Sequence, residues 1–132
     1  MLTIPQNIHD DLVAHAREGF PLEVCGILGG TADSVSVIYR MTNTDASNEH
    51  FMMDPKEQFA VVKDLRAKGL AMQAIYHSHP ETPARPSEED ISLALTPDVS
   101  YIIISLADSA LPVVKSYKIS SGVVEVESIE TV

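Results

Sequence analysis

Apolar side chains at Ile4, Ile8, Leu12 and Ala16 recur every four positions, the repeat of one helix face. They predict a helix over residues 5–18, with Pro5 in its first turn and Gly19 at its stop. His9 and His15 fall away from the stripe's centre and are expected to be solvated. The pattern then changes. Residues 24–30 and 35–41 are apolar runs separated by Thr31-Ala32-Asp33-Ser34, which predicts a hairpin headed by Glu23. Residues 42–50 are polar and turn-forming, and Phe51-Met52-Met53 follows as a brief apolar step. Asp54-Pro55-Lys56-Glu57 reads as a second helix start, with Asp54 as cap, Pro55 at the first helical position and Glu57 completing a capping box. Phe59, Val62 and Leu65, with Val61 beside them, are its expected buried face, and Gly69 its end. Residues 71–76 predict a short buried strand. Ser87-x-x-Asp90 ahead of Ile91, Leu93, Ala94 and Leu95 predicts a short capped helix, stopped by Pro97. Three β-rich runs follow at 101–106, 113–119 and 123–126, the last two joined at Ser120-Ser121-Gly122. These elements make an α/β protein: a mixed, mostly antiparallel curved sheet with two long helices packed on it.

Composition narrows the classes. A chain of 132 residues that is 45 % hydrophobic is expected to form one domain, residues 1–132, around a substantial core. Apolar runs such as 101–104 fall far short of a membrane span, and the first residues have no basic or long apolar region typical of a secretory leader. Nine basic against nineteen acidic residues give a net charge of −10, which argues against nucleic acid and anionic membranes as partners. A single cysteine excludes an internal disulfide and suits a reducing compartment, so the cytoplasm is the expected location. Cys25, flanked by Val24 and Ile27, reads as a small buried hydrophobe.

The candidate chemistry lies between Tyr76 and Asp90. At the end of the strand over 71–76, His77 and His79 project to one side and Ser78 to the other, which places two imidazoles about 6–7 Å apart at their Cα atoms. Pro80, Pro83 and Pro86 forbid regular structure between them, so the chain can turn back and face Asp90 toward the pair. Two imidazoles and a carboxylate suit zinc, with a fourth position left for water. Residue types alone leave Glu23, Glu49 and Glu81 open as the accompanying base.

His77, His79, Pro80, Ser87 and Asp90, with the spacer 81–86, resemble the JAMM or MPN+ motif of the JAB1/MPN/Mov34 metalloproteases, His-x-His-Pro, six residues, then Ser-x-x-Asp. Pro21 to Gly30 is similar to that family's first strand, which puts its upstream glutamate on Glu23. The resemblance implies a JAB/MPN fold similar to cytidine deaminases, one zinc per chain on His77, His79 and Asp90, Glu23 as base, and Ser87 as donor to the oxyanion. It further implies hydrolysis of an amide or isopeptide bond, with residues 42–53 beside the substrate groove and His50 a possible contact there. The short spacing and length point to the small prokaryotic members associated with ubiquitin-like sulfur-carrier proteins, cleaved after a C-terminal Gly-Gly. A deubiquitinase-like isopeptidase and a non-catalytic scaffold are the alternatives. A zinc deaminase needs His-x-Glu and Pro-Cys-x-x-Cys, whereas this chain has His79 where the glutamate after His77 would be and one cysteine in total. A cysteine hydrolase would need a lowered thiol pKa at Cys25, where the sequence is apolar.

Overall fold

The computed structural model describes residues 1–96 and 98–132. The two apolar runs around Thr31 to Ser34 pair as an antiparallel hairpin, β2 (Cys25–Thr31) and β3 (Ser34–Met41), in which Leu28 faces Ile38. Its turn residues Ala32 and Asp33 have φ of 50° and 63°, the left-handed conformation a two-residue hairpin turn requires. β2 also pairs antiparallel with β4 (Ala71–His79), which pairs parallel with β5 (Ser100–Ser105). β6 (Val113–Ser120) and β7 (Val123–Glu127) extend that side as antiparallel neighbours. On the other side β3 is followed by β1 (Leu2–Ile4) and β8 (Ile129–Thr131), both parallel additions.

The order β7-β6-β5-β4-β2-β3-β1-β8 places β7 and β8 at opposite edges, yet only Ser128 separates them in sequence. The sheet therefore curls until its edges nearly meet, and the Leu2 N–H donates to the Ser128 carbonyl at 2.9 Å, which carries the β1–β8 pairing up to that junction. Alternation along the strands divides the core. Leu28, Tyr76, Ile102 and Ile104 pack with Ile8, Leu12 and Ala16 of helix α1 (Gln6–Gly19). Cys25, Ile27 and Met41 pack with Val61 and Leu65 of helix α2 (Pro55–Ala67) on the opposite face. A third cluster, Ala84, Ile103, Tyr117 and Ile119, lies beneath the segment that leads to helix α3 (Glu88–Ser92). Among the described residues, no helix is long and apolar enough to cross a membrane.

Several expectations are corrected. Pro5 is the cap of α1 rather than part of its first turn, and Ile4 belongs to β1. On α2 only Val61 and Leu65 are buried; Phe59 is 66 % exposed and Val62 38 %. At 3.6 residues per turn Phe59 points about 200° away from Val61, so one contact with the sheet cannot cover both. Asp54 caps α2 by accepting the Lys56 N–H at 2.9 Å, but Glu57 does not complete a box. Its carboxylate instead accepts from the Thr42 N–H and hydroxyl at 2.8 and 2.9 Å. α3 buries no side chain, with Leu93 and Leu95 exposed beyond it. The expected stop at Pro97 lies outside the described residues.

Candidate active site

His77 and His79 are the last alternate residues of β4, and the pairing Cys25↔His77 fixes their face. Beyond β2 the pairing continues: the Val24 N–H donates to Ser78 Oγ at 2.8 Å and the Ser78 N–H to the Val24 carbonyl at 3.0 Å. Ser78 is thus spent on the opposite side of the strand. Glu23 precedes β2 by two residues instead of heading it. Its backbone is held by loops, the N–H donating to Ser47 O at 2.8 Å and the carbonyl accepting from Asn43 Nδ2 at 3.0 Å.

The proline-rich turn after β4 is pinned through its carbonyls. Ser105 Oγ donates to Thr82 O at 2.6 Å, Tyr117 Oη to Ala84 O at 2.6 Å, and His79 Nδ1 to Pro83 O at 2.8 Å. The chain then enters α3 through a reciprocal capping box: the Asp90 N–H donates to Ser87 Oγ at 3.0 Å, and the Ser87 N–H to Asp90 Oδ2 at 2.9 Å. The cap that starts this short helix thereby aims the Asp90 carboxylate at the histidines.

Three donor atoms converge. His77 Nε2 and His79 Nε2 are 3.1 Å apart, and each lies 3.1–3.2 Å from Asp90 Oδ2. Because His79 donates through Nδ1 to the Pro83 carbonyl, its Nε2 carries the lone pair of the neutral ring and faces a carboxylate oxygen that is also an acceptor. Acceptor against acceptor at that distance calls for a cation between them, and the residues present fit a divalent metal ion.

Electrostatics follow the geometry. Burial alone would raise the Asp90 carboxyl, but without a metal a proton on the facing imidazole nitrogens takes the cation's place, and the resulting hydrogen bonds from His77 and His79 hold it well below the usual carboxylate range. Burial works to lower both imidazoles. It prevails at His77, while at His79 the Asp90 carboxylate and Pro83 carbonyl outweigh it and the pKa rises. Burial pushes Glu23 up to about 8; His79 opposes this, and the carboxylates of Asp90, Glu89 and Glu49 add to it. The charges of both His79 and Asp90 therefore reach Glu23. Burial also pushes the Cys25 thiol up to about 12, which removes the thiolate that a cysteine nucleophile needs.

Sequence reasoning missed the organisation of residues 42–53. Asn43 uses its whole side-chain amide: Nδ2 donates to Glu23 O and His50 O, and Oδ1 accepts from the Asp45 and Met52 N–H groups. The loop so held stacks Phe51 on the His77 ring with centroids 4.6 Å apart, and places His50 Nδ1 2.7 Å from Glu89. Nothing in a polar turn-forming stretch signals which asparagine is the hub. His15 also departs from its solvated assignment, because its Nδ1 lies 2.7 Å from the hydroxyl of the buried Tyr76. Glu81 is exposed.

A family model described as prokaryotic homologs of the JAB domain matches residues 5–120. The CysO-cysteine peptidase of Mycobacterium tuberculosis is 34% identical over 134 residues, covering 100% of this chain and 92% of that protein. A desampylase of Haloferax volcanii is 32% identical over 111 residues, covering 79% of this chain and 80% of its own length. The solution structure of a Desulfitobacterium hafniense protein superposes with a TM-score of 0.91 at 46% identity, over 100% of this chain and 93% of that one.

Proposed function

The chain belongs to the family of prokaryotic homologs of the JAB domain, and from that premise we propose that it is a zinc-dependent amide or isopeptide hydrolase acting after the C-terminal Gly-Gly of a ubiquitin-like carrier protein. Residues 1–132 act as one catalytic domain holding one zinc. The observation that carries the reading is the meeting of His77 Nε2, His79 Nε2 and Asp90 Oδ2 within 3.1–3.2 Å. The names of the relatives support the substrate class, one a CysO-cysteine peptidase and the other a desampylase.

Zinc, which His77, His79 and Asp90 would hold, would supply an activated water of pKa near 7 and polarise the carbonyl under attack. Glu23 would take a proton from the attacking water as the water's oxygen adds to the carbonyl carbon. The same carboxyl returns the proton to the nitrogen as the C–N bond breaks, so the products are a carboxylic acid and an amine, which settle near neutrality as carboxylate and ammonium. Burial raises the Glu23 carboxyl above the ordinary carboxylate range in the metal-free protein, the direction that favours return of the proton to the leaving nitrogen. Ser87 Oγ accepts the Asp90 N–H, which leaves its own proton free to donate to the oxygen that gains charge. Phe51, stacked on His77, shields that side of the site from bulk water.

The test is to incubate the zinc-replete protein with carrier fusions ending in Gly-Gly-X and to follow intact mass. The expected product is the carrier ending at its second glycine. Equal cleavage of unrelated unfolded peptides, or cleavage away from the glycines, contradicts the proposal, and robust cleavage of polyubiquitin favours a deubiquitinase.

A further inference from the structure

A small pocket shares His77 and Asp90 as part of its wall. Its remaining wall is mostly apolar: Phe51, Leu93, Tyr101, Ile103 and Ile119. Ile103 and Ile119 are buried and Phe51 is fixed by its stack on His77, so these parts of the lining are preformed. Pro86, Glu49 and the His50–Glu89 pair complete the lining, and among the described residues no lysine or arginine contributes to it.

Cleavage after Gly-Gly, the reading on which this step rests, leaves no side chain on the acyl side of the scissile bond. The first side chain that can reach a pocket walled by His77 and Asp90 is therefore that of the residue being released. We infer that this pocket receives the side chain of the leaving residue and selects an apolar or thiol group over an anionic one. An apolar chain or a cysteine thiol exchanges water for Phe51, Tyr101 and the two isoleucines. A carboxylate entering the same space is desolvated and meets the acidic groups of Glu49 and Glu89, and the lining offers it no lysine or arginine as a partner.

The experiment compares kcat/KM of the zinc-loaded protein on carrier–Gly-Gly-X substrates with X as Leu, Cys, Ala or Asp. Leu is expected to exceed Ala by roughly tenfold, the scale of a few methylenes in an apolar pocket, with Asp the slowest of the four. Leu93→Arg, at a position 58 % exposed and so tolerant of a charge, is expected to raise the ratio of Asp to Leu turnover by roughly tenfold. In parallel, the Ile103 and Ile119 methyl resonances of the wild-type protein are followed as Leu-Ala-amide or Asp-Ala-amide is added. The Leu peptide is expected to shift both, and the Asp peptide neither. Cleavage with equal rates for all four residues, or an unchanged Asp-to-Leu ratio in Leu93→Arg, overturns the inference. If no carrier is cleaved but the Leu peptide alone still shifts the two methyls, the pocket stands and the proposed reaction falls; absence of both overturns both.

Discussion

Glu23 is 6 % exposed, and burial holds its carboxyl near 8 when no metal is bound. Its folded-state pKa lies above the ordinary 4.5, so the folded metal-free protein keeps a proton that the unfolded chain releases. The stability from this group is fully present below about 4.5 and is lost progressively as pH rises through about 8. Melts of EDTA-treated protein should therefore show the wild type losing ground to Glu23→Gln across that window and running parallel to it above. Parallel curves throughout would contradict the assignment. In the zinc-loaded protein, Glu23→Gln should keep its metal and lose about 10²–10⁴-fold in hydrolysis, because the amide preserves shape without accepting the proton. Ser87→Ala removes the hydroxyl that caps α3. It should cost about 1 kcal/mol in a denaturant melt and slow cleavage by about 10²-fold, and full rate with lowered stability would leave Ser87 a cap alone.

Among the elements, the loop over 42–53 depends on one side chain. Asn43→Asp keeps the acceptor for Asp45 and Met52 but loses the donors to Glu23 O and His50 O. Amide exchange across 44–52 should quicken and hydrolysis should fall while zinc content holds, as followed by mass spectrometry and metal analysis. Unchanged exchange would show the loop to be held elsewhere. The strand, turn and capped helix that bring His77, His79 and Asp90 together were legible in the sequence because each rests on local rules: alternation on a strand, prolines that exclude regular structure, and Ser-x-x-Asp at a helix start. Long-range features were not legible. Asn43, the His15–Tyr76 contact and the link from Glu57 to Thr42 join residues distant in sequence. β1 and β8, three residues each, are too short for periodicity to mark. Phe59 misled because the spacing Phe59, Val62, Leu65 satisfies a helical pattern although Phe59 points to the side of the helix away from Val61 and is exposed. The choice of Glu23 over Glu49 and Glu81 came from the family resemblance; the structure adds that Glu23 is buried and reached by the charges of His79 and Asp90.

For the molecule as a whole, the curled sheet presents the ends of β4 and the start of β2 at one place, with the core divided between α1 and α2 behind them. The site is therefore built on the central strands, and its close-set lone pairs make the metal-free fold dependent on protons where a cation would serve. Zinc should accordingly raise the melting temperature of the wild type, and much less that of Asp90→Ala. The measurement that meets the central claim most directly is elemental analysis of protein purified after metal-replete expression. The account predicts about one zinc per chain for the wild type and for Glu23→Gln, and almost none for His77→Ala or Asp90→Ala. A wild-type protein without metal, or an Asp90→Ala variant that keeps its full complement, would contradict it.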